Sequence, residues 1–189
     1  MKGRTAGAVV IALAALVAIF VAPSAHAAHI ANIKVHLEQR TVVVGFDLEN
    51  AFTKQFVDRI QSGLPTSLTY DIQLHRDHIR WWDHKLMSTS LRVVAMYNAV
   101  TREYLVNYKQ NGKLVESRVV HSVQELKAAM THVSGLHAFM LDDLPHDWRL
   151  LVKVQAELGS RTILSLIPVT VTTDWADSNK FRAPAGPND

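Results

Sequence analysis

Cysteine is absent from this chain of 189 residues. Thiol nucleophiles, thiolate-bound zinc, disulfide bonds and a lipid-modified cysteine are therefore all excluded. Aromatic residues make up only 7% of the sequence, which disfavours an aromatic-lined cavity for a small ligand. The missing disulfides do not prevent folding, because a domain of this length can bury a sufficient hydrophobic core.

The sequence also lacks an excess of charge once its N-terminal segment is set aside. It contains 20 basic and 17 acidic residues, and removing Lys2 and Arg4 with that segment leaves 18 against 17, a net charge of +1. No run of basic residues is interleaved with aromatic residues. We therefore expect neither a nucleic-acid partner nor a polybasic patch for a membrane surface.

The N-terminus has the organisation of a secretory signal peptide. Two basic residues precede an apolar run over 6–21, and Pro23 and the triplet 25–27, in which alanines flank His26, follow. The alternative is an uncleaved membrane anchor, but this run of about 16 residues is shorter than the roughly 20 of a spanning helix. We predict that residues 1–27 are removed by cleavage after Ala27, which leaves a periplasmic or secreted protein without a membrane span.

Alternation of apolar and polar residues dominates the mature chain, most clearly over 33–48, 68–75 and 151–158. A period of two places one set of side chains on a core face and the other set in solvent. We predict one mainly β domain over 28–175, an antiparallel β-sandwich or strongly curved sheet of seven to nine strands with one or two short helices. A flexible tail is expected over 176–189.

A β-hairpin is predicted around Asn111–Gly112. Both residue types tolerate the positive φ angles of a two-residue type I′ turn, and strand-like runs lie on either side. A tight turn would place Val115 and Val119 on the apolar face of the hairpin. The predicted pairs are Gln110–Lys113, Tyr108–Val115, Val106–Ser117 and Tyr104–Val119.

Two segments have the spacing of short helices. The first has phenylalanine or isoleucine at 52, 56 and 60, and Gly63–Leu64–Pro65 is expected to end it. The second begins with Ser122 and Glu125 in the arrangement of a capping box. Gly135 is expected at its C-terminal end.

The densest polar patch lies over 75–84 and contains three histidines and two aspartates. Imidazole ligands suit zinc and copper, but histidines three apart on a strand point to opposite faces and those six apart are separated by about 20 Å. We favour a solvated strand end over a metal site. An exposed tryptophan beside charged groups is a suitable recognition anchor, although packing into the core is an equal alternative. The candidate interaction surface comprises Arg76, Arg80, Trp81, Trp82 and Asp83.

A second acidic segment over 142–147 contains three aspartates and a histidine. It lacks the ligand spacing of an EF-hand loop, and aspartates beside proline are ordinary turn residues. The motifs of metalloproteases, α/β-hydrolases, phosphate-binding loops and β-lactamases do not occur. We therefore assign no catalytic, cofactor-binding or metal-binding residue and expect no cofactor.

An ordered set of short elements runs through the mature chain: Gly63–Leu64–Pro65, the strand 70–74, Trp81–Trp82–Asp83, Tyr97 with 101–106, Gly112 and Asp174–Trp175. This set resembles a family of secreted bacterial proteins known as domain of unknown function 4390, over about residues 30–181. The resemblance implies export in Gram-negative bacteria, no assigned activity, and genes close to that of a membrane sensor histidine kinase.

Three functions are open at this point. The first is a non-catalytic periplasmic binding or accessory module with a protein partner in the cell envelope, for which the resemblance suggests the sensor histidine kinase. The alternative is a histidine-dependent metal-binding protein or metal-assisted hydrolase, because nine of the ten histidines lie beyond residue 27. The third is a carrier that holds a small ligand inside the sandwich. The sequence does not decide the oligomeric state.

Overall fold

The computed structural model of the chain describes residues 27–77, 84–142, 144, 148–163 and 167–182, without the side chains of 160–163 and 167–169. All residues of the predicted signal peptide except the last lie outside these ranges. Within them, neither helix has both the length and the apolar character needed to cross a bilayer.

Eleven strands and two helices follow one another along the described residues. They are β1 (His29–Glu38), β2 (Thr41–Glu49), α1 (Lys54–Gln61), β3 (Thr66–Arg76), β4 (His84–Asn98), β5 (Glu103–Gln110), β6 (Lys113–Val120), α2 (Val123–Thr131), β7 (His132–Met140), β8 (Arg149–Ile163), β9 (Ile167–Thr172), β10 (Ala176–Asp177) and β11 (Phe181–Arg182). The strands outnumber the seven to nine predicted, because two short ones lie in the segment expected to be a tail.

The strands form two antiparallel sheets. The small sheet has the order β1–β2–β7, and the large sheet has the order β10–β8–β3–β4–β5–β6, with β9 and β11 also paired to β8. The rings of Phe46 in the small sheet and Tyr70 in the large sheet meet edge to face, with centroids 5.0 Å apart. The two sheets therefore share one core, which confirms the predicted mainly β, antiparallel and sandwich-like fold.

The alternating pattern determines which side chains fill this core. The buried positions predicted from it are Val42, Val44, Phe46 and Leu48 on β2, Leu68, Tyr70, Ile72 and Leu74 on β3, and Val152, Val154 and Ala156 on β8. Burying a Val, Leu, Ile or Phe side chain stabilises the fold by about 1.5–3 kcal/mol, so a slip of one residue would expose each set.

The first helix, α1, begins and ends at identifiable capping residues. The Thr53 hydroxyl accepts a hydrogen bond from the amide of Phe56 at 3.3 Å, and the fully buried Ile60 anchors the helix to the core. Gly63 follows the last turn with φ +82° and donates its amide to the carbonyl of Ile60 at 3.0 Å. The predicted stop at this glycine is confirmed, because its left-handed conformation is costly for other residues.

The second helix, α2, starts as predicted but ends earlier. The Ser122 hydroxyl accepts from the amide of Glu125 at 3.1 Å, and the Glu125 carboxylate accepts from the amide of His121 at 3.0 Å. The prediction that Gly135 caps the helix is wrong. The helix ends at Thr131, His132 is already extended, and Gly135 lies within β7.

Two tyrosines of the large sheet explain this early end. The Tyr70 hydroxyl donates to the carbonyl of Met130 at 2.6 Å, and the Tyr108 hydroxyl donates to the carbonyl of Ala129 at 2.8 Å. The last carbonyls of a helix have no partner within the helix and need donors from elsewhere. Because the tyrosines supply them, the chain passes from α2 into β7 without a glycine cap.

The predicted hairpin turn is confirmed. Asn111 has φ +48° and Gly112 has φ +80°, the positive values that a type I′ turn requires. The Asn111 side chain also accepts a hydrogen bond from the amide of Ser90 at 3.0 Å, which connects the turn to the neighbouring strand β4.

The predicted register of the hairpin is wrong beyond the pairs Gln110–Lys113 and Lys109–Leu114. Gln110 does pair with Lys113, but Tyr108 pairs with Glu116, so Val115 is an additional residue in β6. Such a β-bulge shifts all later pairs by one position. Val115 and Val119 are consequently exposed rather than part of the apolar face. The other shifted pairs are Val106–Arg118 and Tyr104–Val120.

The segment 176–182, for which the sequence predicts a flexible tail, pairs with β8 at two points. Between them, the ammonium group of Lys180 lies 2.9 Å from a carboxylate oxygen of Asp77, whose side chain is only 8% exposed. A nearly buried carboxylate needs a compensating charge, and this ion pair therefore supports the docking of the segment. Residues 183–189 of the predicted tail lie outside the described part of the chain.

Candidate functional site

A groove of about 520 Å³ lies between the β5–β6 hairpin, α2 and β7. We call it the α2–β7 groove. Its apolar lining includes Leu91, Tyr108, Val120, Ala128, Val133 and Leu136.

Tyrosine contacts join α2 to the large sheet beside the groove. Tyr108 holds the last turn of α2 through the carbonyl of Ala129. The adjacent Ala128 projects too little side chain to reach the hairpin, so the space beside it is open to solvent. The β6 side of the hairpin, shifted by the bulge at Val115, forms the opposite wall.

The β6 wall carries two charged side chains that compensate each other. The guanidinium Nε of Arg118 lies 2.5 Å from a carboxylate oxygen of Glu116, and its Cζ lies 5.4 Å from the centroid of the Tyr108 ring. The hydrogen bond to Glu116 is the main cause of a raised pKa of Arg118. Burial raises the pKa of the Tyr108 hydroxyl, so this group stays a neutral donor to the helix.

The β7 wall has two histidines that also have acidic neighbours. His132 Nδ1 lies 2.6 Å from a carboxylate oxygen of Asp47, and His137 Nε2 lies 3.6 Å from one of Glu38. The hydrogen bond from His132, followed by one from Asn32, lowers the pKa of Asp47. The remaining acidic residue of the rim, Glu125, is occupied in capping α2, and the amide of His121 lowers its pKa.

One edge of β7 faces the groove and is not paired with another described strand. Among the described strands β7 is the last of the small sheet and pairs only with β2. Its residues His132 to His137 line the groove in an unbroken series. At the far end the Gln110 side-chain amide donates to the carbonyl of His137 at 2.9 Å and closes the groove against β5.

The candidate surface predicted from the sequence lies largely outside the described residues. Arg80, Trp81, Trp82 and Asp83 are all in the undescribed segment 78–83. Arg76 is described at the end of β3, where its guanidinium carbon lies 3.7 Å from the centroid of the Trp148 ring. A cation–π contact of this kind already occupies the arginine with a neighbour in its own chain.

The histidines do not gather into a metal centre within the described ranges, where no group of three or more His, Asp or Glu side chains could hold an ion. In the patch over 75–84, His75 is buried with its Nε2 2.9 Å from the Gln73 side-chain oxygen, whereas His84 is exposed at the start of β4. In the second acidic segment, Asp142 forms an ion pair with Arg40 at 3.1 Å. Asp143, His146 and Asp147 are not described.

The groove itself is not apparent from the sequence patterns considered above. His132 and His137 receive no role there, because Gly135 between them is taken as a helix end. The one local signal is the pair Ala128–Ala129, whose small side chains on a short amphipathic helix permit another element to approach or leave a gap.

Comparison with known proteins gives one family and no named relative. The family described as domain of unknown function DUF4390 matches residues 25–175, most of the chain. No curated protein and no solved structure matches this chain. The chain therefore belongs to the DUF4390 family, as the ordered elements of its sequence predict.

Proposed function

We propose that this protein is an exported, non-catalytic binding module, and that the α2–β7 groove binds an extended, apolar segment of a protein partner in the cell envelope. The observation that carries the proposal is the combination of an apolar lining with a strand edge along one wall that no other described strand covers. A periplasmic segment of a sensor histidine kinase is the partner that the family resemblance suggests.

The charges at the rim favour a neutral, apolar occupant. Arg118 is paired with Glu116, His132 with Asp47 and His137 with Glu38. A charged ligand would have to compete with these contacts, whereas an apolar side chain can occupy the lining without disturbing them. Removing apolar surface from water supplies the favourable free energy, at about 25 cal/mol per Å².

The strand edge favours an extended backbone. An exposed edge presents unpaired amide and carbonyl groups, and an added strand can satisfy them in the manner of β-augmentation. The six residues from His132 to His137 extend over roughly 20 Å at about 3.3 Å per residue. The groove therefore suits a segment of about six residues with apolar side chains at alternate positions.

The test is selection of short random peptides of about six residues against the mature protein. The discriminating variant is Ala128→Trp, which fills the groove from an exposed helix position without entering the core. The matched control is Lys127→Trp, since Lys127 is the preceding helix residue, is exposed and does not line the groove.

We expect selected peptides with alternating apolar residues that bind the wild type and the Lys127→Trp variant and lose at least about tenfold in affinity for the Ala128→Trp variant. Equal binding to both variants would place the peptide elsewhere. A small molecule bound tightly enough to appear in native mass spectra of the wild type, but not of the Ala128→Trp variant, would instead identify a ligand carrier.

Export is tested separately by sequencing the N-terminus of the protein recovered from the periplasm of a Gram-negative host. The proposal expects the mature chain to begin at Ala28, because the apolar run and the small residues before it suit signal peptidase. A chain that retains Met1 and stays in the cytoplasm would contradict the envelope part of the proposal.

A further inference from the structure

We propose that two copies of this protein associate through β6, which joins the two large sheets into one continuous antiparallel sheet. This inference concerns the outer edge of β6 and a second copy of the chain, although the charged residues that it uses, Glu116 and Arg118, also line the α2–β7 groove.

β6 is an unusually apolar and exposed edge. It has eight residues, is the last strand of the large sheet and, among the described strands, pairs only with β5. Leu114, Val115 and Val119 are 59%, 56% and 52% exposed. Natural proteins cover or pair such an edge, since its free backbone groups and apolar side chains promote association.

The sequence of β6 is complementary to itself in one antiparallel register. When Ser117 faces Ser117 of the second copy, Glu116 lies opposite Arg118 on both sides of the two-fold axis. Opposite charges directly across two strands are favourable. The small Ser117 at the axis turns its hydroxyl to Asn107 of its own chain at 2.6 Å.

Neighbouring registers lack this complementarity. Centring the axis on Glu116 places like carboxylates opposite each other, and centring it on Arg118 does the same with guanidinium groups. Centring it between Glu116 and Ser117 would set side chains of opposite sheet faces against each other. Like charges directly opposite each other destabilise a strand pair, so the Ser117 register is selected.

An apolar row on the outer face of the large sheet ends at the β6 edge. Met96 of β4 pairs with Leu105 of β5, and Leu105 pairs with Val119 of β6. A strand of a second copy beside β6 would cover part of Val119, whose side chain is 52% exposed.

The experiment measures the molar mass of the mature protein by light scattering and sedimentation. We expect a dimer for the wild type and for the control variant Lys109→Glu, which changes an exposed charge on the neighbouring strand. Glu116→Arg and Arg118→Glu should each dissociate at least about tenfold more readily, because each places like charges opposite each other twice.

A mixture of the two single variants tests the register most directly. In a mixed dimer the arginine that replaces Glu116 in one copy would face the glutamate that replaces Arg118 in the other copy. The two unchanged residues, Arg118 of the first copy and Glu116 of the second, would also face each other. Opposite charges therefore return at both positions, and the mixture should form a dimer.

Circular dichroism confirms that each variant is folded. A monomeric wild type, dimeric single variants, or a mixture that stays monomeric would each overturn the proposed register.

Discussion

The hydroxyl of Tyr70, in the middle of the central strand β3, donates to the backbone carbonyl of Met130 at 2.6 Å. Both residues are fully buried. This hydrogen bond connects the large sheet to the last turn of α2, and so positions the helix that forms one wall of the α2–β7 groove.

Tyr70→Phe removes this donor without creating a large cavity. We expect the free energy of unfolding to fall by about 1–3 kcal/mol, since the Met130 carbonyl remains buried without the hydroxyl. Urea denaturation measures the change. Tyr97→Phe is the matched control, because Tyr97 is only partly buried, and it should cost less than half as much. An equal fall in unfolding free energy for both variants would show that the Tyr70–Met130 hydrogen bond does not contribute to stability beyond an ordinary tyrosine hydroxyl.

The same residue predicts an alkaline dependence of stability. Burial raises the pKa of Tyr70 above its ordinary value of about 10. In the unfolded chain this hydroxyl ionises above about pH 10, whereas in the folded protein it stays protonated. The contribution of Tyr70 to the free energy of unfolding is therefore complete below about pH 10 and is lost as the pH rises further. The difference in unfolding free energy between wild type and Tyr70→Phe should narrow above about pH 10. A constant difference would contradict the burial effect.

We expect the stability contributed by Asp47 to depend on pH in the opposite direction, with a loss at acid pH. The pKa of Asp47 is lowered by hydrogen bonds from His132 and Asn32. Its contribution to the free energy of unfolding is therefore present above the ordinary carboxylate pKa of about 4, and it is lost as the pH falls through the lowered pKa. We expect Asp47→Asn to cost roughly 0.5–1 kcal/mol at neutral pH, because the pair is partly exposed. The difference from wild type should narrow below about pH 4 in denaturant titrations. Asp174→Asn serves as the control, because it removes one carboxylate from an exposed position.

The turn between β5 and β6 tests the hairpin. Gly112 has φ +80°, which a β-branched side chain resists, so Gly112→Val should lower the unfolding free energy by about 1 kcal/mol or more. Gly112→Asn is the matched control, because asparagine tolerates positive φ, and it should cost less. A melting temperature of Gly112→Val equal to that of the wild type would rule out this turn.

The end of the domain can be located by truncation. A chain that ends at Trp175 loses the half-buried Ala176 and Phe181 and the ion pair of Lys180 with Asp77. We expect its unfolding free energy to fall by roughly 1–3 kcal/mol. A chain that ends at Arg182 keeps these contacts and should match the chain that ends at Asp189. Equal stability of the two truncated chains would mean that the segment over 176–182 does not support the domain.

Much of this fold can be predicted from local pattern. The alternation at Leu68, Tyr70 and Ile72 identifies a strand and its buried face, and Asn111–Gly112 identifies the turn, because both depend on backbone geometry within a few residues. The capping box at Ser122 is equally local.

What could not be predicted depends on contacts between distant segments. The alternation around Val115 does not reveal the bulge that exposes it, and the end of α2 is determined by hydroxyls of Tyr70 and Tyr108 far earlier in the sequence. The groove arises from the placement of two sheets around Ala128, which no single segment encodes.

Hydrogen exchange along β7 tests the proposed binding site most directly. The protein over residues 28–189 is compared with and without a peptide obtained by selection on the groove, and the Ala128→Trp variant is measured in parallel. The proposal predicts slower amide exchange over 132–137 when the peptide is bound to the wild type, because an added strand bonds the free edge of β7. Unchanged exchange over 132–137, or the same slowing in the Ala128→Trp variant, would contradict it.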